Sequence, residues 1–342
     1  MEPFELKRLG RSDLMLPRLG FGAAGLGSTE VSETQASSTV ETAWETGVRF
    51  YDTSPWYGRG LSERRIGTVL ASKPRDELIL STKVGRIFVA PANIRAFRSS
   101  DRFAPTALPF DYYHDYSYEG VMRSYEDSLQ RLGMNRVDML IIHDLDRTSF
   151  GTDALVQAHL AQLATGGIRA LKELKQTGRV QAIGAGVNRI GTIPLFLECL
   201  ELDFFLVALP YTLAEQPALD REFPLCEEKA VGIIVGAPLA SGILATGPVP
   251  GARYNYHEPT SEESERVRRM EEVCRDHEIS LAAAALQFPL HHPLVASVIP
   301  GGVEPAHPSR NHSDMLRDIP VAFWAELKAR GLLRADAPVP SR

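Results

Sequence analysis

Short runs rich in Val, Ile, Leu and Phe alternate along this chain with longer amphipathic stretches, the pattern of parallel strands joined by crossover helices. Eight such runs are read as strands, at 19–22, 48–52, 78–83, 137–142, 180–184, 204–208, 231–235 and 295–299. Helical periodicity falls between them, at 34–46, 62–71, 118–131, 155–176 and 281–288 among others. Gly47, Gly133 and Gly178 follow three of these stretches, where left-handed caps are predicted. Eight β/α units point to a closed (β/α)8 TIM barrel rather than an open sheet. Ahead of the first strand, 4–9 and 14–19 flank Gly10-Arg11-Ser12-Asp13 and read as an N-terminal β-hairpin, placed to plug the amino-terminal end of the barrel. Two insertions stand out: 85–117, aromatic and irregular, with DYYHDY at 111–116, and 245–260, rich in Gly and Pro. No internal repeat or linker divides the chain, so 1–342 is read as a single domain.

Composition narrows the partner. Lys and Arg number 37 against 43 Asp and Glu, a net charge of -6 without any basic run. Such a surface does not draw the protein to nucleic acid or anionic lipid, and a small molecule is the predicted partner. Cys199, Cys226 and Cys274 are far apart and odd in number, which argues against a disulfide framework or a zinc site and for a reducing compartment. The amino terminus carries early acidic residues and no uninterrupted apolar core, unlike a secretory signal, and no run of about 18 apolar residues offers a spanning helix. The cytoplasm is the predicted location.

In such a barrel, polar residues at the carboxyl ends of the strands are the ones that carry chemistry. Asp52 closes the second predicted strand, Tyr57 follows in its loop, Lys83 closes the third, and His143 follows the fourth. Singly each has an ordinary structural role: a turn cap, an amphipathic surface ring, a solvated strand end, a satisfied neutral histidine. Together they are aimed at one mouth, where a buried lysine needs a carboxylate and Asp52 is the nearest candidate. A tyrosine is a poor acid or base near neutrality unless nearby charge stabilises its phenolate, a role predicted for Lys83. His143 is then predicted to hydrogen-bond the substrate oxygen. The set suits interconversion of a carbonyl and an alcohol, with a cofactor exchanging hydride.

The segments GVRFYDTSPWYGRGLSERRIG, STKVG and RVDMLIIHDLD resemble the Asp/Tyr, Lys and His blocks of the aldo-keto reductase superfamily, and the resemblance covers nearly the whole chain. It implies that Asp52, Tyr57, Lys83 and His143 form a catalytic tetrad in a (β/α)8 barrel that binds a nicotinamide dinucleotide without a Rossmann fold. No G-x-G-x-x-G opens a helix after the first strand, in keeping with this. The long segment after Lys83, SYEGVMRSYEDSLQRLG and HDLD are similar to the aldose 1-dehydrogenase branch. That branch implies oxidation of a cyclic hemiacetal, of the L-fucose or D-threo-aldose type, to a lactone, with Tyr57 taking the proton. Oxidation of pyridoxal to its lactone, NADPH-dependent carbonyl reduction and a nonenzymatic binding role are the alternatives.

The same resemblance implies a cofactor groove formed by Asn188, Pro238, Leu239, Ser241, Gly242, Leu244, Gly301, His307 and Asn311. Helix capping is the alternative role for Asn188 and Asn311. Departures are visible: GAGVN lacks the family's serine, Phe204-Phe205 leaves no glutamine on the sixth strand, and no stacking tyrosine stands near Gly236. Gly301-Gly302 and His307 take the places of cations that meet a 2′-phosphate, with only Arg310 nearby, so NAD is preferred over NADP. Substrate contacts are predicted for Trp56, Tyr113, His114 and Asp144, with Tyr112 in the same aromatic segment; a packed surface loop and a turn cap are the alternatives.

Overall fold

The structure, a computed structural model, describes residues 1–95, 97 and 106–341. Two antiparallel strands, β1 (Leu6–Arg8) and β2 (Met15–Pro17), form the N-terminal hairpin. The barrel strands are β3 (Phe21–Gly22), β4 (Phe50–Asp52), β5 (Ile79–Val84), β8 (Met139–His143), β9 (Ala182–Val187), β10 (Phe204–Val207), β11 (Gly232–Val235) and β12 (Val295–Val298), and a second hairpin, β6 (Arg86–Val89) with β7 (Asp111–His114), lies between β5 and β8. The eight barrel strands are parallel neighbours in one sheet, in chain order. Parallel bridges from Leu19 to Val298 and from Gly22 to Gly301 join the first strand to the last and close the cylinder. All eight predicted strands are present, with ends shifted by a few residues. No helix among the described residues is long and apolar enough to cross a membrane.

Strand alternation divides the apolar residues into two clusters. Phe50, Met139, Ile141, Ala182, Phe204, Leu206, Ile234 and Ala296 share the cluster inside the barrel with Leu9, Leu14 and Leu16 of the hairpin. The hairpin therefore plugs the barrel, as the sequence predicts. Tyr51, Leu80, Leu140, Ile142, Phe205 and Ile233 alternate with that set and join the larger cluster beneath the helices. Ser32, Ser117 and Ser280 cap three helices, each accepting a hydrogen bond from the backbone N–H three residues on. The stretch read as one helix over 155–176 is helical from Asp153 to Gln176, with a π-helical turn at Leu163–Gly167.

The segment 85–117 corrects the sequence reading. It is not wholly irregular: β6 and β7 pair from Arg86 opposite His114 to Val89 opposite Asp111. Residues 96 and 98–105 lie outside the described residues.

Candidate active site

The inward parity of each strand carries into its carboxyl end. Asp52 is two residues beyond inward-facing Phe50, and His143 two beyond Ile141; Ile79, packed against the inner cluster, sets the same parity for Ser81 and Lys83. Period-two geometry thus delivers a carboxylate, an ammonium and an imidazole to one mouth. Asp52, Lys83 and His143 are all buried. Lys83 Nζ donates to Asp52 Oδ2 at 2.7 Å and to the Thr53 carbonyl at 2.8 Å, while Ser81 Oγ donates to Asp52 Oδ1 at 2.7 Å. The predicted Lys83–Asp52 pair is thus present and well hydrogen-bonded.

Tyr57 reaches the group from the loop after β4. Its ring centroid is 4.7 Å from Lys83 Nζ and 5.8 Å from the His143 ring, which stands perpendicular to it at 89°. The loop is held by direct backbone contact: Gly58 has φ +65, and a Cβ there would collide with the Gly27 carbonyl. Gly58→Ala is expected to cost roughly 1–3 kcal/mol of stability from strain at this φ and to lower turnover by about 10²-fold through displacement of Tyr57. Turnover and a urea melt both matching the parent would show that the contact does not hold the tyrosine.

Electrostatics here differ from the prediction. Burial drives the Tyr57 hydroxyl well above its usual value, with Asp52, Tyr256 and Asp144 adding to the rise and Arg86 opposing it. Lys83 is engaged by Asp52, and the net shift at Tyr57 is upward with the ammonium beside its ring. In the protein as it stands Tyr57 holds its proton. His143 is pushed well below its usual value by burial, then by Arg86, Lys83 and His114, and stays neutral. Ser54 Oγ accepts from the Trp56 N–H at 3.1 Å and is hydrogen-bonded to His143 Nδ1 at 2.9 Å. The Asp144 carboxylate, its Oδ2 3.3 Å from Nε2, favours the tautomer with the proton on Nε2.

Asp144 has left-handed backbone (φ 44) and links three groups. Besides His143, it accepts from Asn188 Nδ2 at 2.8 Å and faces Arg86 Nη2 at 3.8 Å. Burial raises its carboxyl above the usual range, against the pull of Arg86. Arg86 and Tyr256 are the members of this constellation that sequence reasoning missed. Arg86 immediately follows the STKVG block and reads there as an ordinary loop cation.

The aromatic predictions divide by strand parity. Tyr112 and His114 share one face of β7, with the Tyr112 ring 4.8 Å from Trp56 and 5.6 Å from His114. His114 is held neutral, its value pushed down to about 3 by burial and then by Arg86 and His159. Tyr113 is on the opposite face, 42% exposed, and its hydroxyl accepts from Arg123 Nη1. It is not brought to the mouth.

The dinucleotide predictions divide as well. Asn188 is not a helix cap, because the next helix (Thr192–Cys199) starts after Gly191. Asn311 lies within Ala306–Leu316, which also excludes capping; it is buried. Ala240, Ser241 and Gly242 form a left-handed run with φ of 46, 62 and 104, and Ser241 Oγ accepts from the Tyr256 N–H at 2.9 Å. Nothing lies within 4 Å of where a Cβ on Gly242 would be, and only the Gly22 carbonyl, at 3.6 Å, lies near Gly301. Pro238 is buried, and Leu239 packs partly against the main core. Leu244 corrects the prediction: it has no exposed surface and belongs to the core, because the short helix Ile243–Thr246 turns it inward. His307 Nδ1 accepts from the Val303 and Glu304 N–H groups at 3.2 and 3.3 Å, so it folds onto its own loop. Arg310 is exposed, without an ion pair among the described residues.

The chain is 37% identical to D-threo-aldose 1-dehydrogenase of Pseudomonas sp over 326 residues, covering 94% of this chain and 95% of that one. It is 35% identical to pyridoxal 4-dehydrogenase of Microbacterium luteolum, covering 96% and 98%. L-galactose dehydrogenase of Arabidopsis thaliana is 30% identical over 88% of this chain and 85% of its own. Among solved structures, the holo form of an aldo-keto reductase from Bacillus halodurans superposes with a TM-score of 0.75 at 24% identity, covering 98% of each chain. Residues 18–329 match the aldo/keto reductase family. With that match running from the first barrel strand into the last helix, the chain belongs to the aldo/keto reductase family of oxidoreductases.

Proposed function

We propose that this protein is an NAD(P)-dependent aldose 1-dehydrogenase, oxidising the cyclic hemiacetal of an aldose of the L-fucose or D-threo-aldose type to a lactone. The observation that carries this reading is the convergence of Tyr57, the Lys83–Asp52 pair and neutral His143 at one mouth. A D-threo-aldose 1-dehydrogenase related along nearly the full length of both chains supports the substrate class. When bound, a nicotinamide dinucleotide supplies the hydride acceptor. The left-handed turn at 240–242, the open space beside Gly242 and Gly301, and buried Asn311 suit close approach of such a ligand, joined by Asn188, Pro238, Leu239, Ser241 and His307. NAD is the favoured partner, since Gly301, Gly302 and His307 offer no fixed charge for a 2′-phosphate. Arg310 leaves NADP as the alternative to be measured.

In oxidation the anomeric C–H leaves as hydride, the anomeric hydroxyl proton passes to the Tyr57 phenolate, and the lactone carbonyl forms. His143 Nε2–H steadies that oxygen, while Lys83 and Asp52 fix the floor beneath Tyr57. Trp56, His114 and Asp144 line the substrate side. Because burial holds the Tyr57 proton, the competent phenolate is scarce at neutral pH and grows as pH rises. Oxidative kcat/KM is therefore expected to climb by about tenfold per pH unit from neutrality upward, and carbonyl reduction, which needs the protonated hydroxyl, to stay flat over the same span. A flat oxidative profile under conditions where hydride transfer limits the rate would contradict this.

Pyridoxal oxidation is the second reading, favoured by the aromatic wall of Trp56 and Tyr112 beside the mouth. Absorbance at 340 nm with NAD+ or NADP+ against L-fucose, L-galactose, D-arabinose and pyridoxal separates the two. Turnover of an aldose with NAD+ supports the first reading; turnover of pyridoxal alone replaces it with the second.

A further inference from the structure

Arg86 is 6% exposed, yet its guanidinium is only partly engaged. Gly85, at φ +114 with the Tyr116 ring where a Cβ would go, turns the chain sharply after β5. The Arg86 side chain consequently lies over the barrel mouth, its Cζ 4.7 Å from the Trp56 ring centroid. Nη2 is 3.2 Å from Ser149 Oγ and 3.8 Å from Asp144 Oδ2, whereas Nε and Nη1 are buried without a hydrogen-bond partner among the described residues. Two donor nitrogens without partners on a buried cation cost stability unless water or a ligand supplies oxygen to them.

The position of this guanidinium relative to the chemistry narrows what it reads. His143 Nε2, which faces the reacting oxygen in the reaction above, is 3.3 Å from Asp144 Oδ2, and Arg86 is the next group beyond that carboxylate. Lys83 is matched by Asp52 and Arg86 faces Asp144, so the site is close to neutral in total and suits a neutral polyhydroxy compound rather than an anion. A guanidinium donor beside a carboxylate acceptor satisfies both a lone pair and the proton of one hydroxyl.

We propose that Arg86 is a substrate-binding residue whose guanidinium donates to the hydroxyl oxygen on the carbon next to the reacting carbon, while Asp144 accepts a hydrogen bond from that hydroxyl. The assignment rests on the function proposed above and narrows its substrate to an α-hydroxy hemiacetal, with 2-deoxy sugars excluded. A site built to bond a hydroxyl rejects the analogue lacking it, because its own polar groups are then left bare.

The test compares each aldose with its 2-deoxy counterpart on the parent, Arg86→Met and Arg86→Lys, with folding checked by circular dichroism and NAD+ affinity by fluorescence quenching. The parent is expected to favour the aldose by about 10²-fold or more in kcat/KM. Arg86→Met is expected to bring that preference to within about threefold by losing the aldose and sparing the deoxy sugar, and Arg86→Lys, which keeps the charge without the fork, to fall between. A parent that treats the pair alike overturns the assignment without any variant. Equal losses on both sugars in Arg86→Met overturn it too, by showing a structural role. Should the parent oxidise pyridoxal and no aldose, the aldose reading fails and the Arg86 assignment falls with it, because pyridoxal has no hydroxyl on the carbon next to the reacting one; an aldose and its 2-deoxy counterpart turned over alike overturn the Arg86 assignment alone.

Discussion

Replacing Tyr57 by Phe is expected to lower kcat for oxidation by about 10²- to 10⁴-fold, the usual contribution of a positioned proton-transfer group. Only the hydroxyl is removed, so the ring remains to pack beside Lys83 and His143. KM and the melting temperature should therefore change little, and the residual rate should lose its steep rise with pH. That combination separates chemistry from structure. Turnover within about threefold of the parent, with a correctly folded variant, would remove Tyr57 from the reaction.

The second large effect is expected at Lys83. Lys83→Met leaves Asp52 buried with Ser81 as its remaining side-chain partner, and stranding one member of a buried ion pair costs about 3–5 kcal/mol. Urea unfolding should show that loss, and activity should fall with it. The double variant Asp52→Leu/Lys83→Met removes both charges, so most of the stability should return while activity does not. If activity returned together with stability, the pair would be scaffolding alone. If neither variant lost stability, the ion pair would not be the anchor its geometry indicates.

Much of the fold was legible because barrel strands are buried on both faces and read as short apolar runs. The site was legible for the same reason: Asp52, Lys83 and His143 interrupt or end those runs, and polar groups there have few alternatives to the mouth. Legibility failed where a position depends on register or on a turn. Whether Tyr112 or Tyr113 faces inward is decided by the pairing of β7 with β6, and a one-residue shift exchanges them. That hairpin escaped notice because its strands are separated by about 20 residues, far beyond the short loops that signal a hairpin. Leu244 was misplaced because the loop after β11 turns into a short helix, which draws it into the core. Arg86 was invisible because its burial depends on the turn at Gly85 and the closeness of Tyr116, neither of which has a sequence signature. The proton held by Tyr57 likewise follows from burial and from carboxylates at 52 and 144, not from the presence of a lysine.

The most direct test of hydride transfer at this site follows the hydrogen itself. An aldose deuterated at its anomeric carbon, chosen as the fastest of the panel, is incubated with the protein and the dinucleotide, and the reduced nicotinamide is isolated for mass spectrometry and NMR. One deuterium on the nicotinamide ring, equimolar with the aldonolactone formed, is the result expected of hydride transfer at this site. Reduced nicotinamide without label, or label retained in the sugar under turnover, would contradict it.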